Sequence, residues 1–304
     1  MSVVAALGAQ TGPAAPVPTR KARGSAYLLL GPGLAYLALF FVVPVFALLA
    51  TSLYVRVPGG DVGQFQPAFE WNNYVSAVST YWPQMVRSFT YALIATVAAL
   101  IIGYPIAYVI AVRARGRVFL QGMLLVLVIA PFFTSFILRT IAWKQILADE
   151  GFVVAAMHAL QILPQDGRLT ATSFAVVAGL TYNFLPFMAL PIYASLERLD
   201  PRLVEAGADL YANGPTTFLR VTLPLSMPGV VSGTLLTFIP ASGDYVNSVL
   251  LGNNSTTMIG QVIDSRFFKV SDYPTAAALS VILMVVILAL VSAYVRRAGT
   301  EDLL

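Results

Sequence analysis

Six uncharged, mostly apolar runs divide this sequence, and each has about 20 residues or more. A run of that length crosses the hydrocarbon core of a bilayer as an α-helix. The pattern therefore predicts an all-α membrane protein with six transmembrane helices. The predicted spans are residues 27–49, 88–112, 118–138, 169–196, 221–243 and 275–295.

Three other segments complete the predicted organisation. Residues 1–24 are rich in Ala, Pro and Gly and end in basic residues, which predicts a disordered cytoplasmic tail ahead of a membrane domain at 25–304. Residues 151–165 are uncharged but too few to span, so we expect an interfacial or re-entrant helix there. Residues 197–224 form the largest predicted cytoplasmic loop.

Composition supports lipid as the solvent of this chain. Of its 304 residues, 58% are hydrophobic and 11% are charged, and the mean hydropathy is +0.78. A soluble domain has about 25% charged residues. The net charge of +4 indicates basic cytoplasmic loops, and we expect no nucleic-acid partner.

The distribution of Lys and Arg predicts the orientation of the spans. With both termini inside, 11 of the 18 basic residues lie on the cytoplasmic side. This excess follows the positive-inside rule and predicts an N-in, C-in topology. The eleven are Arg20, Lys21, Arg23, Arg113, Arg115, Arg117, Arg198, Arg202, Arg220, Arg296 and Arg297.

Small residues recur every four positions in the second span, from Ala95 through Ala99, Gly103 and Ala107 to Ala111. In a membrane helix such a stripe lets a neighbouring helix approach closely. Gly229 and Gly233 make a similar pair in the fifth span. We therefore expect tight helix packing along both faces.

Several kinds of catalytic chemistry are excluded by the sequence. The chain has no Cys, one His (His158) and no Gly-x-Ser, so thiol chemistry, His-rich metal sites and the serine hydrolase elbow all lack their residues. None of its three Lys follows a Gly, which excludes a phosphate-binding loop. We predict that the chain is not an enzyme, has no metal site, and depends on another subunit for any nucleotide hydrolysis.

The loop at 197–224 predicts two short helices. Asp200 can cap a helix that begins at Pro201, and Gly214-Pro215 ends that helix. Thr216 or Thr217 then starts the second helix. Such a pair of short helices is either a solvated loop or a docking element for a cytosolic partner. Docking is favoured because the chain has no nucleotide-binding motif to drive transport by itself.

This loop resembles the EAA loop of ABC importer permeases. The family pattern is E-A-A, three residues, G, nine residues and I-x-L-P, and the sequence departs from it at Gly207 and Tyr211. The resemblance implies a coupling helix that docks on an ATPase subunit. The implied coupling residues are Glu205, Ala206, Gly207, Asp209, Leu210, Tyr211, Gly214, Leu223 and Pro224.

Further segments resemble the spermidine/putrescine permease subfamily. They are residues 131–143, 182–193, 238–245 and 258–263. The resemblance implies a type I ABC importer permease fold in the bacterial cytoplasmic membrane, with a polyamine as cargo. Permeases for iron, thiamine or opine-like compounds stay open as alternatives, as does an ATP-independent secondary transporter.

The same resemblance implies the partners. They are two copies of a cytosolic ABC ATPase, a second permease and an extracytoplasmic substrate-binding protein. ATP and Mg would be bound by the ATPase, so that no cofactor is expected in this chain. The lipid bilayer is the remaining partner.

Four residues are candidates for contact with the substrate. Asp244 beside Tyr245 suits an ammonium group through charge and cation–π attraction, although an interfacial helix end explains the carboxylate equally well. Tyr182 and Asn183 add polar groups in the fourth span, where structural hydrogen bonding is the alternative. Arg139 and Trp143 are expected to anchor the outer end of the third span.

Overall fold

The computed structural model describes residues 23–164 and 167–298 of the chain. The predicted tail therefore lies outside the described residues up to position 22, and Arg23 and Gly24 already form the start of a helix. The chain divides into two units, residues 1–47 and residues 48–304.

The described residues are mostly helical. A single two-stranded antiparallel hairpin pairs β1 (Val55–Arg56) with β2 (Phe65–Gln66) within the described part of the chain. The helices are α1 (Arg23–Leu37), α2 (Val43–Thr51), α3 (Asn72–Tyr108), α4 (Val118–Ile129), α5 (Phe136–Ile146), α6 (Phe152–Ala159), α7 (Ser173–Glu197), α8 (Pro201–Asp209), α9 (Gly214–Thr217), α10 (Leu223–Leu225), α11 (Met227–Ser242), α12 (Val246–Leu251), α13 (Ile259–Asp264) and α14 (Tyr273–Ala298). π-Helical turns at Ala38–Val42, Val109–Arg113, Phe218–Thr222 and Ser265–Lys269, and 3₁₀ turns at Ala130–Phe133 and Asn254–Thr256, continue or join them.

The described helices provide six candidate spans. Four are long and apolar enough to cross a membrane, and two bent helix pairs bring the number to six if each pair is one span. The four are Leu30–Thr51, Asn72–Arg113, Ser173–Glu197 and Tyr273–Arg297; the pairs are Val118–Phe133 with Phe136–Ile146 and Gly214–Leu225 with Met227–Ser242. Each overlaps one of the six predicted runs.

The second span begins well before the predicted position 88. α3 starts at Asn72 and runs without a break past Arg87, the charged residue just before the start of the predicted run. The Arg87 guanidinium donates to the Thr257 carbonyl oxygen at 2.9 Å. A charged residue thus bounds an apolar run without ending the helix that contains it.

Two predicted spans are bent. The third run predicts one helix to residue 138, but Thr134 is extended, Ser135 is not helical, and α5 turns by 98° from the helix before it. The fifth span bends by 64° next to Ser226. Pro131 and Pro228 lie near these bends, where proline removes a backbone donor and favours a kink.

The predicted interfacial or re-entrant segment at 151–165 contains one short helix. α6 has 8 residues, which span only about 12 Å. Val154 in this helix is fully buried.

The predicted stripes of small residues pack the core. The stripe from Ala95 to Ala111 is buried on α3 and the π-helical turn after it, facing α7. A β-carbon on Gly229 would lie 2.6 Å from the Pro191 carbonyl oxygen, so α11 touches the backbone of α7. The prediction of close helix packing is confirmed on both spans.

Candidate functional site

The exposed segment after α7 is held by the turn between α3 and α4. Nη2 of Arg115 donates to the carbonyl oxygens of Glu197 and Leu199 at 2.6 and 3.0 Å. Oδ1 of Asp200 accepts from the Arg202 amide at 3.0 Å, as expected of a residue that caps a helix beginning at Pro201. These bonds fix where α8 leaves the membrane helices.

The second helix of the loop begins earlier than predicted. The prediction that Gly214-Pro215 ends the first helix is wrong, because α8 already ends at Asp209. Gly214 and Pro215 instead open α9, where Oδ1 of Asn213 caps the new helix by accepting from the Thr216 amide at 2.9 Å. Proline is favoured in the first turn of a helix, where its missing N–H costs no hydrogen bond. The helical segment then continues through Pro224 to Leu225.

The first departure from the family pattern has a packing reason. Gly207 of α8 faces Thr217 of α9, and a β-carbon at Gly207 would lie 3.1 Å from the Thr217 methyl. This contact is tighter than an alanine would comfortably allow. Glycine therefore lets α8 and α9 approach closely.

The second departure lies where the chain needs a left-handed residue. Tyr211 has φ +58°, and the Ala212 amide donates to the Gly207 carbonyl oxygen at 3.0 Å. This six-residue bond is typical of a Schellman motif, in which glycine usually takes the left-handed position. The tyrosine ring there is 99% exposed.

The residues that the resemblance implies for coupling form an exposed surface with an apolar part. Leu210, just after α8, is 81% exposed next to Tyr211, and Leu203 of α8 is also exposed. Such a concentration of exposed apolar side chains marks an interaction site. Glu205, Ala206, Asp209, Gly214 and Pro224 are likewise exposed, whereas Gly207 and Leu223 are half-buried.

A buried hydrogen bond connects this loop to α3 at the bend before α11. Oγ of Ser226 donates to the Leu223 carbonyl oxygen at 3.0 Å and lies 2.7 Å from the Tyr104 hydroxyl. The Tyr104 ring also packs edge-on against Phe218, with 5.5 Å between ring centroids. Tyr104 of α3 therefore contacts the bend on its buried side.

The second candidate site surrounds Asp244 in the break between α11 and α12. Its carboxylate is 8% exposed, and Oδ1 accepts from the backbone amide and from Nδ2 of Asn247 at 2.8 and 3.2 Å. No described Lys, Arg or His forms an ion pair with it. A buried carboxylate with only amide donors still favours a cationic partner.

Asn183 belongs to the same cluster. Its Nδ2 donates to Oδ1 of Asn247 at 3.1 Å and to Oγ1 of Thr140 at 3.0 Å, which joins α7, α12 and α5. The Asn183 side chain is 1% exposed, and its Oδ1 has no donor among the described residues. We call Asp244, Asn247, Asn183 and Thr140 the polar cluster.

The other two candidates lie elsewhere. The Tyr182 ring packs against Trp143, with 5.4 Å between centroids, and lines an apolar groove beside Leu185. Tyr245 is 45% exposed, whereas its neighbour Asp244 is buried. The structure thus brings Asp244 and Asn183 together through Asn247 and leaves both tyrosines outside the polar cluster.

Two members of the polar cluster were missed by the sequence analysis. Thr140 and Asn247 are both fully buried. Asn247 lies three residues after Asp244, so an Asp-x-x-Asn spacing at a helix start was the available signal. Thr140 had no signal, because its place depends on the bend before α5.

The polar cluster has more hydrogen-bond acceptors than donors. The free Oδ1 of Asn183 and the carboxylate of Asp244 suit N–H donors, above all a charged amine. Among the described residues no group of three or more His, Asp or Glu side chains could hold a metal ion.

Comparison with known proteins gives one family match and several similar permeases. Residues 99–298 match the family described as binding-protein-dependent transport system inner membrane component. The spermidine/putrescine transport system permease protein PotB of Escherichia coli K12 is 36% identical over 252 residues, which cover 83% of this chain and 90% of PotB. PotB of Haemophilus influenzae is 36% identical over 264 residues, covering 86% and 90%.

Solved structures share the fold. A chain of a bacterial ABC transporter that imports alginate superposes with a TM-score of 0.65 at 17% identity, covering 91% of this chain and 96% of that one. A chain of the methionine ABC transporter MetNI, in inward-facing conformations, gives 0.55 at 16% identity, covering 71% and 93%. The predicted type I importer permease fold is confirmed, while the N-in, C-in orientation stays a prediction.

Proposed function

The chain belongs to the family of binding-protein-dependent transport system inner membrane components, and from this premise we propose that it is the transmembrane subunit of an ATP-driven polyamine importer. The family match covers residues 99–298. The chain is a multi-pass protein of the bacterial inner membrane and a transport permease, not an enzyme. The resemblance to ABC importer permeases read from the loop at 197–224 is therefore confirmed.

The exposed surface formed by α8 and the two residues after it, which we call the α8 surface, is the observation that carries the proposal. α8 projects from the ends of α7 and α11, and the two residues that follow it, Leu210 and Tyr211, are exposed to solvent. A cytosolic ABC ATPase is the partner that such a surface serves, because the chain has no phosphate-binding loop of its own. ATP and Mg are then bound by the ATPase and not by this chain.

Further partners follow from the transport mode. A six-span chain cannot enclose a path symmetrically, so a second permease completes it and two ATPase copies serve the pair. An extracytoplasmic binding protein delivers the substrate. ATP binding closes the ATPase dimer and moves α8, the spans change from inward-open to outward-open, and hydrolysis resets the cycle.

A polyamine is the cargo that the observations favour. The PotB proteins, which match over more than four fifths of this chain, are spermidine/putrescine permeases by name. The polar cluster offers a buried carboxylate and a free amide oxygen, which suit the ammonium groups of such a solute. Both observations support a cationic amine as the solute.

Uptake of labelled spermidine and putrescine in a strain lacking this gene tests the proposal. The wild-type chain should restore uptake, and Glu205→Arg on the α8 surface should lower it about tenfold or more, because it reverses a charge at the docking site. Asp61→Arg makes the same charge change on an exposed loop at the other end of the spans and should leave uptake unchanged.

The two halves of the proposal can fail separately. Membrane levels of all three proteins are matched by immunoblot. If the wild-type chain never restores polyamine uptake, the cargo is wrong, and iron, thiamine and opine-like solutes are tested next. If Glu205→Arg and Asp61→Arg transport equally well, coupling through α8 is wrong.

A further inference from the structure

An apolar groove lies between α3, α4 and α7 and has no role in the proposed transport cycle. It has a volume of about 470 Å³ and is open on one side. All its lining residues are apolar except Tyr182, and they include Val109, Leu124, Leu127 and Pro131. The Leu127 side chain stands exposed at its edge.

The length of the groove matches the hydrocarbon thickness of one leaflet of a bilayer. Val109 lies one helical turn from Arg113, and Pro131 lies fourteen residues beyond Arg117, which is about 21 Å along a helix. The groove therefore extends from about 6 to about 21 Å above these arginines, and half of a hydrocarbon core is about 15 Å thick. Its length suits a single acyl chain.

Two arginines at one end of the groove have no partner in the described part of the chain. Arg113 and Arg117 flank the turn between α3 and α4, both are exposed, and neither forms an ion pair or side-chain hydrogen bond with a described residue. Arg115 in the same turn is engaged by the Glu197 and Leu199 carbonyl oxygens. The free pair thus differs from the arginine that holds the loop.

We propose that the groove binds an acyl chain of an anionic phospholipid whose phosphate is held by Arg113 and Arg117. An apolar slot with a basic end matches the two parts of such a lipid, and basic pockets between helices at the cytoplasmic side bind anionic head groups. A helix of the second permease would satisfy the apolar walls but leave the arginines without an anion. The groove and its arginines do not depend on the proposed function. Only their assignment to the cytoplasmic leaflet rests on it, because Arg115 of the same turn holds the start of the loop that the proposed function places in the cytoplasm.

Native mass spectrometry of the full transporter in lipid nanodiscs tests the proposal. The nanodiscs contain phosphatidylethanolamine with increasing phosphatidylglycerol, and retained lipids are counted after detergent transfer. The double variant R113Q/R117Q should lose one retained phosphatidylglycerol and bind it about tenfold more weakly. R296Q/R297Q removes the same charge from the exposed end of α14 and should retain that lipid.

A second variant keeps the test independent of the arginines. Leu127→Trp fills the groove while leaving both arginines in place, and it should also lose the lipid. Equal lipid retention by R113Q/R117Q, R296Q/R297Q and Leu127→Trp would overturn the proposal.

The rival occupant has its own readout. Because the chain has no Cys, Leu127→Cys is a clean crosslinking site, and its crosslink to a cysteine on the second permease would place a protein in the groove and overturn lipid binding. Lipid retention requires no transported solute. Failure here is therefore distinguishable from failure of the polyamine assignment.

Discussion

At the scale of single residues, Tyr211 carries backbone strain at the end of α8. A non-glycine residue in the left-handed region costs about 1 kcal/mol or more, and Tyr211 has φ +58° there. Tyr211→Gly should therefore be more stable than Tyr211→Ala by about 1 kcal/mol, or roughly 2 °C in the thermal midpoint of the purified transporter. Both variants remove the exposed ring, so the comparison isolates the backbone; equal midpoints would contradict the strain.

The same pair of variants separates strain from docking. If the Tyr211 ring contacts the ATPase, glycine and alanine should lower ATPase association alike, whatever their difference in stability. Association is measured by co-purification at matched membrane levels. An unchanged association in both variants would remove Tyr211 from the docking surface.

Asp244 is expected to act on a cationic solute through its charge. Asp244→Asn keeps the shape and one acceptor but loses the charge, and a buried charge-assisted hydrogen bond contributes about 2 kcal/mol, or roughly thirtyfold in affinity. The apparent KM for spermidine uptake should rise by that order, whereas Asp264→Asn should leave it unchanged. A lower thermal midpoint with an unchanged KM would instead assign Asp244 a purely structural role.

Residue types indicated only part of the polar cluster. Asp244 and Asn183 could be selected from the sequence because polar groups within or near apolar runs are costly. Tyr182 and Tyr245 met the same criterion but lie outside the cluster, since side-chain direction depends on helix rotation and on the break after Ser242. Thr140 could be found only after the bend before α5 was known.

At the scale of elements, the bend before α11 joins the loop at 197–224 to a membrane span. Tyr104→Phe removes the hydroxyl that lies 2.7 Å from Ser226 Oγ but keeps the ring against Phe218. Loss of one buried hydrogen bond costs about 1 kcal/mol, so uptake per ATP hydrolysed should fall about fivefold while hydrolysis continues. The ratio is measured in proteoliposomes containing the full transporter.

A matched control lies one turn along α3. Tyr108 also packs edge-on against Phe218, at 5.9 Å, but its hydroxyl makes no hydrogen bond with a described residue. Tyr108→Phe should therefore leave the ratio of uptake to hydrolysis unchanged. If both variants behave alike, the effect belongs to the aromatic contact and not to the bond with Ser226.

The existence of the helices was easier to predict than their limits and bends. Uninterrupted apolar runs located all six candidate spans because the bilayer demands about 20 apolar residues. The start of α3 was not predictable from the apolar run, because the run starts only after Arg87, whereas the helix includes this arginine and extends back to Asn72. The 98° turn before α5 likewise depends on the packing of α5 against α7 and α12, which no local pattern records.

At the scale of the whole molecule, the packing of the spans and their direction rest on different evidence. Ala99 and Gly233 indicated where helices touch, and the structure confirms these contacts. Direction across the membrane depends on where Lys and Arg are retained during insertion, which the folded helices do not record. The N-in, C-in topology therefore needs its own experiment.

Single cysteines in this Cys-free chain can determine that topology. Asp61→Cys, in the loop between β1 and β2, should react with a membrane-impermeant maleimide in intact spheroplasts, because the predicted topology places this loop outside. Leu210→Cys, beyond the opposite ends of the spans, should react only after the membrane is permeabilised. Both positions are exposed in the structure, and the chain is expressed without its ATPase, so accessibility differs only through the bilayer. Labelling of Leu210→Cys in intact spheroplasts would show that the true topology is the reverse of the predicted one. The α8 surface would then lie on the side of the membrane that a cytosolic ATPase cannot reach.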